Sequence, residues 1–257
     1  MTLEMNFSES TFLEKQTIEG CSARVRIFTP AREITFAGHP TLGTAFVMKY
    51  KDLIPQNQKT SLLQLGVGPT HIEILGESTI QMTQPEPSFG EVPNDTIKKA
   101  EAIGLTASDI DPEFPVQVVS TGFPFLIVPI KTLTTVKRAA PVSVFSDNLR
   151  HLSTQLVLIF STETEFSESH VHTRMFEPEI GVVEDPATGS ATGPLGAYLV
   201  KYQTLGEHKI GEPILIEQGF EIDRPSQLVA RIPNEKMSEV YVSGIVRLIA
   251  EGIFYLP

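Results

Sequence analysis

The chain has 257 residues, 41% of them apolar and 20% charged, which is ordinary for a soluble globular protein able to bury a sizeable core. A formal net charge of -11 excludes tracking of a nucleic-acid backbone and docking on an anionic membrane surface. The single cysteine, Cys21, excludes an intrachain disulfide. Met1 to Ser10 lacks a basic-then-apolar leader pattern, and the longest apolar stretches, such as Leu156 to Phe160, are strand-sized. The expectation is a cytoplasmic protein.

In chain order, Ala23 to Phe28 alternates Arg24 and Arg26 against Val25 and Ile27, a half-buried strand. Leu62 to Val67, His71 to Leu75 and Thr79 to Thr83 read as short strands separated by turns at Gly66, Gly68, Pro69 and Gly76. Pro85 to Gly90 looks like a linker. Asn94 or Asp95 then caps a helix running to about Ile103, ended by Gly104. Strands are predicted over Val116 to Ser120, Phe125 to Val128, Gln155 to Phe160 and Val171 to Phe176, and a helix over Pro141 to Leu152. Further strands fall around Ile214, Val229, Val242 and Phe254.

The chain echoes itself. Arg26-Ile27-Phe28-Thr29-Pro30 followed by Gly38-His39-Pro40-Thr41-Leu42-Gly43-Thr44-Ala45 recurs as Arg174-Met175-Phe176-Glu177-Pro178 followed by Gly189-Ser190-Ala191-Thr192-Gly193-Pro194-Leu195-Gly196-Ala197. Each copy is a strand, an acidic loop (Glu33, then Glu184-Asp185), a Gly-led turn and a small-residue helix. A repeat this long is not a solenoid. It predicts two homologous domains facing each other across a cleft, a common place for a ligand.

A helix that starts at glycine lets backbone N–H groups approach a ligand, and its end carries partial positive charge. Two such ends in one cleft make a carboxylate or oxyanion site. The plainer alternative is that these glycines only permit tight packing, and spacing alone does not decide between the two. Asp185, just before a proline and a helix start, reads alone as a cap. His39, at the matching turn, is placed to hydrogen-bond a substrate or pass a proton. Glu9, ahead of a strand, reads alone as a surface charge. His170 and His172 alternate along one strand with no third ligand at metal-site spacing beyond Glu168, so no metal is expected there. Cys21 reads as an inert small residue. No dinucleotide fingerprint, P-loop or G-x-S-x-G elbow occurs.

Taken together, Asn6-Phe7-Ser8-Glu9-Ser10-Thr11-Phe12, Arg26 to Pro30, Phe36 to Ala45, Arg174-Met175-Phe176, Gly181 to Ala191, Gln218-Gly219 and Arg224-Pro225-Ser226 resemble, in the same order, the PhzF-like isomerases of phenazine biosynthesis. The resemblance runs over essentially the whole chain. It implies the α+β diaminopimelate-epimerase-like fold: two similar domains, each a curved, mostly antiparallel sheet wrapped around a central helix. The expected division is residues 1–88 and 89–248, with residues from about 249 to 257 returning to the first domain.

The resemblance also implies a homodimer and no cofactor, acting on a small carboxylate-bearing molecule by moving a proton between carbons. The best-known member does so on trans-2,3-dihydro-3-hydroxyanthranilate. The implied catalytic residues are Glu9, His39 and Asp185, and Gly38, Gly189 and Ser190 are implied to hold the substrate. A raised pKa would let Glu9 give and take a proton. Related racemases and epimerases use two cysteines, one in each Gly turn; here those positions hold His39 and Ser190.

Family members usually begin with a further segment of about three dozen residues. The first domain's sheet is therefore expected to be short, leaving Leu42, Ala45, Phe46 and Val47 on the His39 helix under-covered. The alternative function, a non-catalytic small-molecule-binding protein of the same fold, follows from that missing segment.

Overall fold

The computed structural model describes residues 1–5, 7–178 and 182–255. Asn6 and Gly181 of the matching segments, and the last two residues of the tail, lie outside them. The strands are β1 Ser10–Glu14, β2 Ala23–Phe28, β3 Glu33–Ile34, β4 Thr60–Leu65, β5 Gly68–Ile74, β6 Thr79–Gln84, β7 Ser88–Phe89, β8 Gln117–Ser120, β9 Pro124–Pro129, β10 Val157–Ser161, β11 Val171–Glu177, β12 Val182–Asp185, β13 Ile214–Gln218, β14 Ser226–Arg231 and β15 Val240–Ile245. The helices are α1 Thr2–Met5, α2 Gly38–Tyr50, α3 Thr96–Ala102, α4 Leu133–Arg138, α5 Phe145–Leu149 and α6 Gly189–Lys201.

The strands join in the order β1-β2-β4-β5-β6-β15-β14-β13-β11-β10-β9-β8-β7, with β3 on β2 and β12 on β11. Pairing is antiparallel except for β2 with β4, β9 with β10 and β11 with β13. β15 links the two halves of the sheet, pairing with β14 on one side and on the other with β6 from Val240 opposite Gln84 to Ile245 opposite Thr79. The fold is thus α+β, with the sheet curling around two helices.

Each central helix is apolar on nearly every side because strands surround it. In α2, Leu42, Ala45 and Met48 pack with Val25, Ile27, Leu63, Ile72, Ile80 and Met82. In α6, Ala191, Leu195, Tyr198 and Leu199 pack with Phe125, Ile127, Phe160, Met175 and Ile216. A third core, with Leu126, Val128, Val157, Ile159 and Phe176, lies on the other face of β9–β11 under Ala100, Val136, Phe145 and Leu149 of α3 to α5.

The internal echo is visible in side chains. Arg26 donates from Nε (2.8 Å) and Nη2 (2.7 Å) to the Glu33 carboxylate and lies over the Phe28 ring at 4.8 Å. Arg174 donates from Nε (2.9 Å) and Nη2 (2.6 Å) to the Glu184 carboxylate and lies over the Phe176 ring at 4.9 Å.

Several sequence expectations change. The segment Pro85 to Gly90 is no free linker: Ser88 and Phe89 pair with β8, and the Lys201 ammonium sits 3.7 Å over the Phe89 ring. The helix expected over Pro141 to Leu152 shrinks to α5. Its first residues are tied elsewhere, since Ala140 N–H donates to the Ile103 carbonyl and Val142 N–H to the Ala102 carbonyl at the end of α3. Helix α4, capped by Thr132 through the Thr135 N–H, was not anticipated. No strand forms around Phe254, which is exposed like Ile253 and Tyr255. That apolar run finds no ladder partner among the described residues, and Glu251 nearby pairs with Lys51 just past α2.

The under-covered face on α2 is narrower than expected. Leu42 and Ala45 are buried and Phe46 is half-buried, while Val47 and Tyr50 are exposed. Tyr50 stacks on Phe46 with ring centroids 6.3 Å apart, which screens part of that face.

Candidate active site

The N-termini of α2 and α6 abut. A Cβ placed on Gly38 would stand 2.3 Å from the Gly189 carbonyl carbon and 2.4 Å from the Ser190 nitrogen. Only glycine allows this approach, so the tight-packing reading of the two Gly turns holds, and the close contact brings both helix ends to one point. The Gln84 amide fastens the junction, donating to the Gly189 carbonyl at 2.8 Å while its oxygen accepts from Thr121 at 2.6 Å.

A cavity of ≈ 320 Å³ opens at this junction. Phe36, Phe123, Phe125 and Leu156 form its apolar wall, and Glu9, Gly38, His39, Asp185, Gly189 and Ser190 all line it. The six expected catalytic and substrate-binding residues therefore meet at one place. Glu9 arrives just ahead of β1, His39 and Ser190 in the first turns of their helices, and Asp185 at the end of β12.

The Glu9 carboxylate stands 3.4 Å from His39 Nε2. Glu9 Oε2 and Asp185 Oδ1 are both buried, with no hydrogen-bond partner among the described residues. Burial pushes the Glu9 carboxyl above the usual range; His39 pulls it back, and Asp185 pushes it further up. This is the direction a carbon acid/base needs.

Asp185 is latched from its other side. Its Oδ2 accepts from the Thr188 hydroxyl at 2.5 Å, and the Gln218 amide donates to the Asp185 carbonyl at 2.6 Å and to Thr188 Oγ1 at 2.8 Å. Gly219 follows with a φ of 83°, and a Cβ there would meet the Arg224 carbonyl at 2.4 Å. Thr188 and Gln218 were not among the expected site residues, although the Gln218-Gly219 pair stood in the sequence pattern.

Two further lining residues were missed. Glu177, at the end of β11, is buried, and burial, then Asp185 and Glu9, push its carboxyl up to about 9. Arg32 lines the same cavity and makes no ion pair among the described residues.

One ligand atom each from Glu9, His39 and Asp185 lies within 4.8 Å of the others, a donor set able to hold a divalent cation. Among the described residues, His170 and His172 belong to no such group. His172 is fully buried, Nδ1 2.9 Å from Glu217 and Nε2 2.9 Å from Glu221. Burial opposes its charge, but the two carboxylates outweigh burial and raise its pKa. His170 Nδ1 accepts from the Leu215 N–H at 3.0 Å.

Residues 1–252 match the family described as phenazine biosynthesis-like protein. The chain belongs to that family. It is 35% identical over 263 aligned residues to the trans-2,3-dihydro-3-hydroxyanthranilate isomerase of Pseudomonas aeruginosa, covering 100% of this chain and 87% of the relative. Among solved structures it resembles a predicted epimerase from P. aeruginosa, with 31% identity, a TM-score of 0.84, and coverage of 100% of this chain and 87% of that one. A PhzF-family protein of Bacillus anthracis gives 27% identity, a TM-score of 0.82, and coverage of 95% and 83%. A probable proline racemase shares the fold alone, at 10% identity, a TM-score of 0.63, and coverage of 92% and 73%. This PhzF-like chain is an isomerase by enzyme class, and the binding-only alternative is not favoured.

Proposed function

We propose that this PhzF-like protein moves a proton between carbons of a small carboxylate-bearing substrate, without a cofactor. Glu9 acts as general acid/base, and His39 and Asp185 act as its partners. Gly38, Gly189 and Ser190 hold the substrate. The observation that carries the reading is the convergence of Glu9, His39 and Asp185 within 4.8 Å at two abutting helix N-termini.

In this mechanism the substrate carboxylate lies at the helix ends, where unpaired backbone N–H groups and the helix dipoles favour negative charge. Arg32 adds a cation at the cavity wall. Glu9 Oε2 removes a proton from the carbon next to the carboxylate. Charge that develops on the carboxylate oxygens is stabilised by the same donors. Glu9, with its pKa raised by burial, keeps the proton long enough to return it to another carbon, and His39 at 3.4 Å serves as its proton partner. The apolar wall of Phe36, Phe123 and Phe125 suits a cyclic or unsaturated substrate.

We read the chain as two domains divided near residue 88, acting as a cytoplasmic homodimer. The test of the function is incubation in heavy water with trans-2,3-dihydro-3-hydroxyanthranilate and a panel of cyclic carboxylates. Deuterium should enter at substrate carbon. Absence of exchange and of product across the panel would refute the isomerase mechanism.

A further inference from the structure

Glu177 has no part in the mechanism above, yet it lies in the same cavity with 7% exposure. The ladder between β11 and β12 slips between Phe176 and Glu177, the kind of bulge that redirects a side chain next to a site. The internal echo supplies a comparison. The equivalent position in the first half is Thr29, whose hydroxyl donates to the Arg32 carbonyl and accepts from the Arg32 N–H, both at 3.1 Å, closing a turn. Glu177 closes nothing: among the described residues its carboxyl makes no hydrogen bond.

The charged neighbours that act on Glu177 are both acids, Asp185 from β12 and Glu9 from ahead of β1. Among the described residues, no lysine or arginine pairs with it. Three buried carboxyls in one cavity cannot all ionise, and Glu177 is the one whose surroundings offer no compensation. Its proton stays on at neutral pH, with burial as the main cause and the repulsion of Asp185 and Glu9 added. A carboxyl that keeps its proton is a hydrogen-bond donor. With no acceptor among the described residues, that donor is available to the cavity.

We propose that Glu177 is a substrate-contacting hydrogen-bond donor of this site, selecting substrates that carry an oxygen acceptor beside the carbon that Glu9 deprotonates. The inference rests on the isomerase reading for which carbon is meant. The proton remains on Glu177 throughout, and its hydrogen bond to the substrate oxygen orients the neighbouring carbon toward Glu9. Substrates bearing a hydroxyl or keto oxygen are thereby favoured over their unsubstituted counterparts.

The test pairs binding with a measurement that needs no ligand. Cyclohexanecarboxylate and its cis- and trans-2-hydroxy derivatives are titrated calorimetrically into wild type, Glu177→Gln and Glu177→Leu. Wild type should bind an oxygenated probe about tenfold more tightly than the parent acid. Glu177→Gln, whose amide still donates, should keep that preference. Glu177→Leu should lose it while binding the parent acid as before. Infrared difference spectra at neutral pH should show a protonated-carboxyl band in wild type that both variants lack. The proposal is overturned by the absence of that band, by no preference in wild type, by a preference that survives in Glu177→Leu, or by a Gln variant that behaves like the Leu one. If no probe binds wild type, the carboxylate-site reading fails and the infrared band alone decides the role of Glu177. Deuterium wash-in with Glu9→Gln addresses the isomerase reading separately.

Discussion

The contact between the two helix ends sets up a paired experiment at Gly38 and Gly43, both on α2. A methyl on Gly38 would stand 2.3 Å from the Gly189 carbonyl carbon, about 1 Å inside the 3.4 Å at which ordinary contact begins. The obstacle is backbone, which cannot swing aside as a side chain can. Gly38→Ala must therefore push the two helices apart, at a cost of about 3 kcal/mol, the upper end of the usual overpacking range. The same shift separates His39 and Glu9 from Asp185 and Ser190, and a misplacement of about 1 Å can cost roughly 10²-fold in rate. Gly43 is the control, because a Cβ there would meet nothing within 4 Å. Gly43→Ala should stabilise α2 by about 0.5–1 kcal/mol through lower unfolded-state entropy and better helix propensity, leaving proton exchange unchanged. Urea denaturation gives the stabilities, and deuterium wash-in gives the activity. A Gly38→Ala protein as stable and active as the Gly43→Ala one would refute the close junction of the helices and the site built on it.

Other expectations can be checked on the same preparations. Glu9→Gln keeps the shape of the side chain but cannot accept a proton, so wash-in should fall by about 10² to 10⁴ with probe binding retained; undiminished wash-in would move the role to Asp185 or His39. Elemental analysis of the purified protein should find no stoichiometric metal, and chelator should leave exchange intact; a tightly held ion at Glu9, His39 and Asp185 would overturn the cofactor-free mechanism. Glu177 holds its proton up to about pH 9 in the folded chain against 4.5 unfolded, so the folded state binds more protons between those values and stability falls as pH rises through them. Glu177→Gln removes this loss and should stabilise the protein by up to about 3 kcal/mol at neutral pH, with the gain fading toward pH 4.5. A Gln variant with the wild-type pH dependence would show that Glu177 is ionised.

Much of this architecture was legible because it rests on local pattern. Alternating Arg24, Val25, Arg26 and Ile27 gave β2 over the same residues as the structure. Asp95 and Gly104 bracketed α3, with Asp95 accepting from the Lys98 N–H and Gly104 at a φ of 68°. The convergence of Glu9, His39 and Asp185 was legible through the family resemblance and the echo of the two Gly turns. The supporting residues were not, because their partners lie far along the chain. His172 was visible only as a strand histidine, and nothing local tied it to Glu217 and Glu221. Gln218 gave no sign that its amide would hold Asp185 in place. Glu177 read only as part of the repeated strand motif Arg174 to Pro178; its mismatch with Thr29 inside the echo was the signal that could have singled it out.

The two halves repeat the same Arg–Glu–Phe bracket in different surroundings, and that difference predicts which half holds its share of the site more firmly. In the first half, Arg26 and Glu33 are both well exposed, at 35% and 43%, so water competes for the pair and salt screens it. Arg26→Ala should therefore be close to neutral. In the second half, Arg174 and Glu184 are buried, at 8% and 7%, and Arg174 Nη1 also donates to the carbonyls of Val136, Lys137 and Ala139 at the end of α4. Beside it, Glu221 faces both Arg174 Nε at 3.7 Å and His172. Arg174→Ala leaves a buried Glu184 and three helix carbonyls without their donor, so it should cost about 3–5 kcal/mol. Because Glu184 immediately precedes Asp185 on β12, the same variant should also lower wash-in. Arg174→Lys should recover little, since an ammonium cannot reproduce the forked contact to Glu184 while reaching α4. Urea melts of the three variants test this directly. Equal costs for Arg26→Ala and Arg174→Ala would mean that burial does not distinguish the two brackets, and the argument that the second half anchors Asp185 would fail with it.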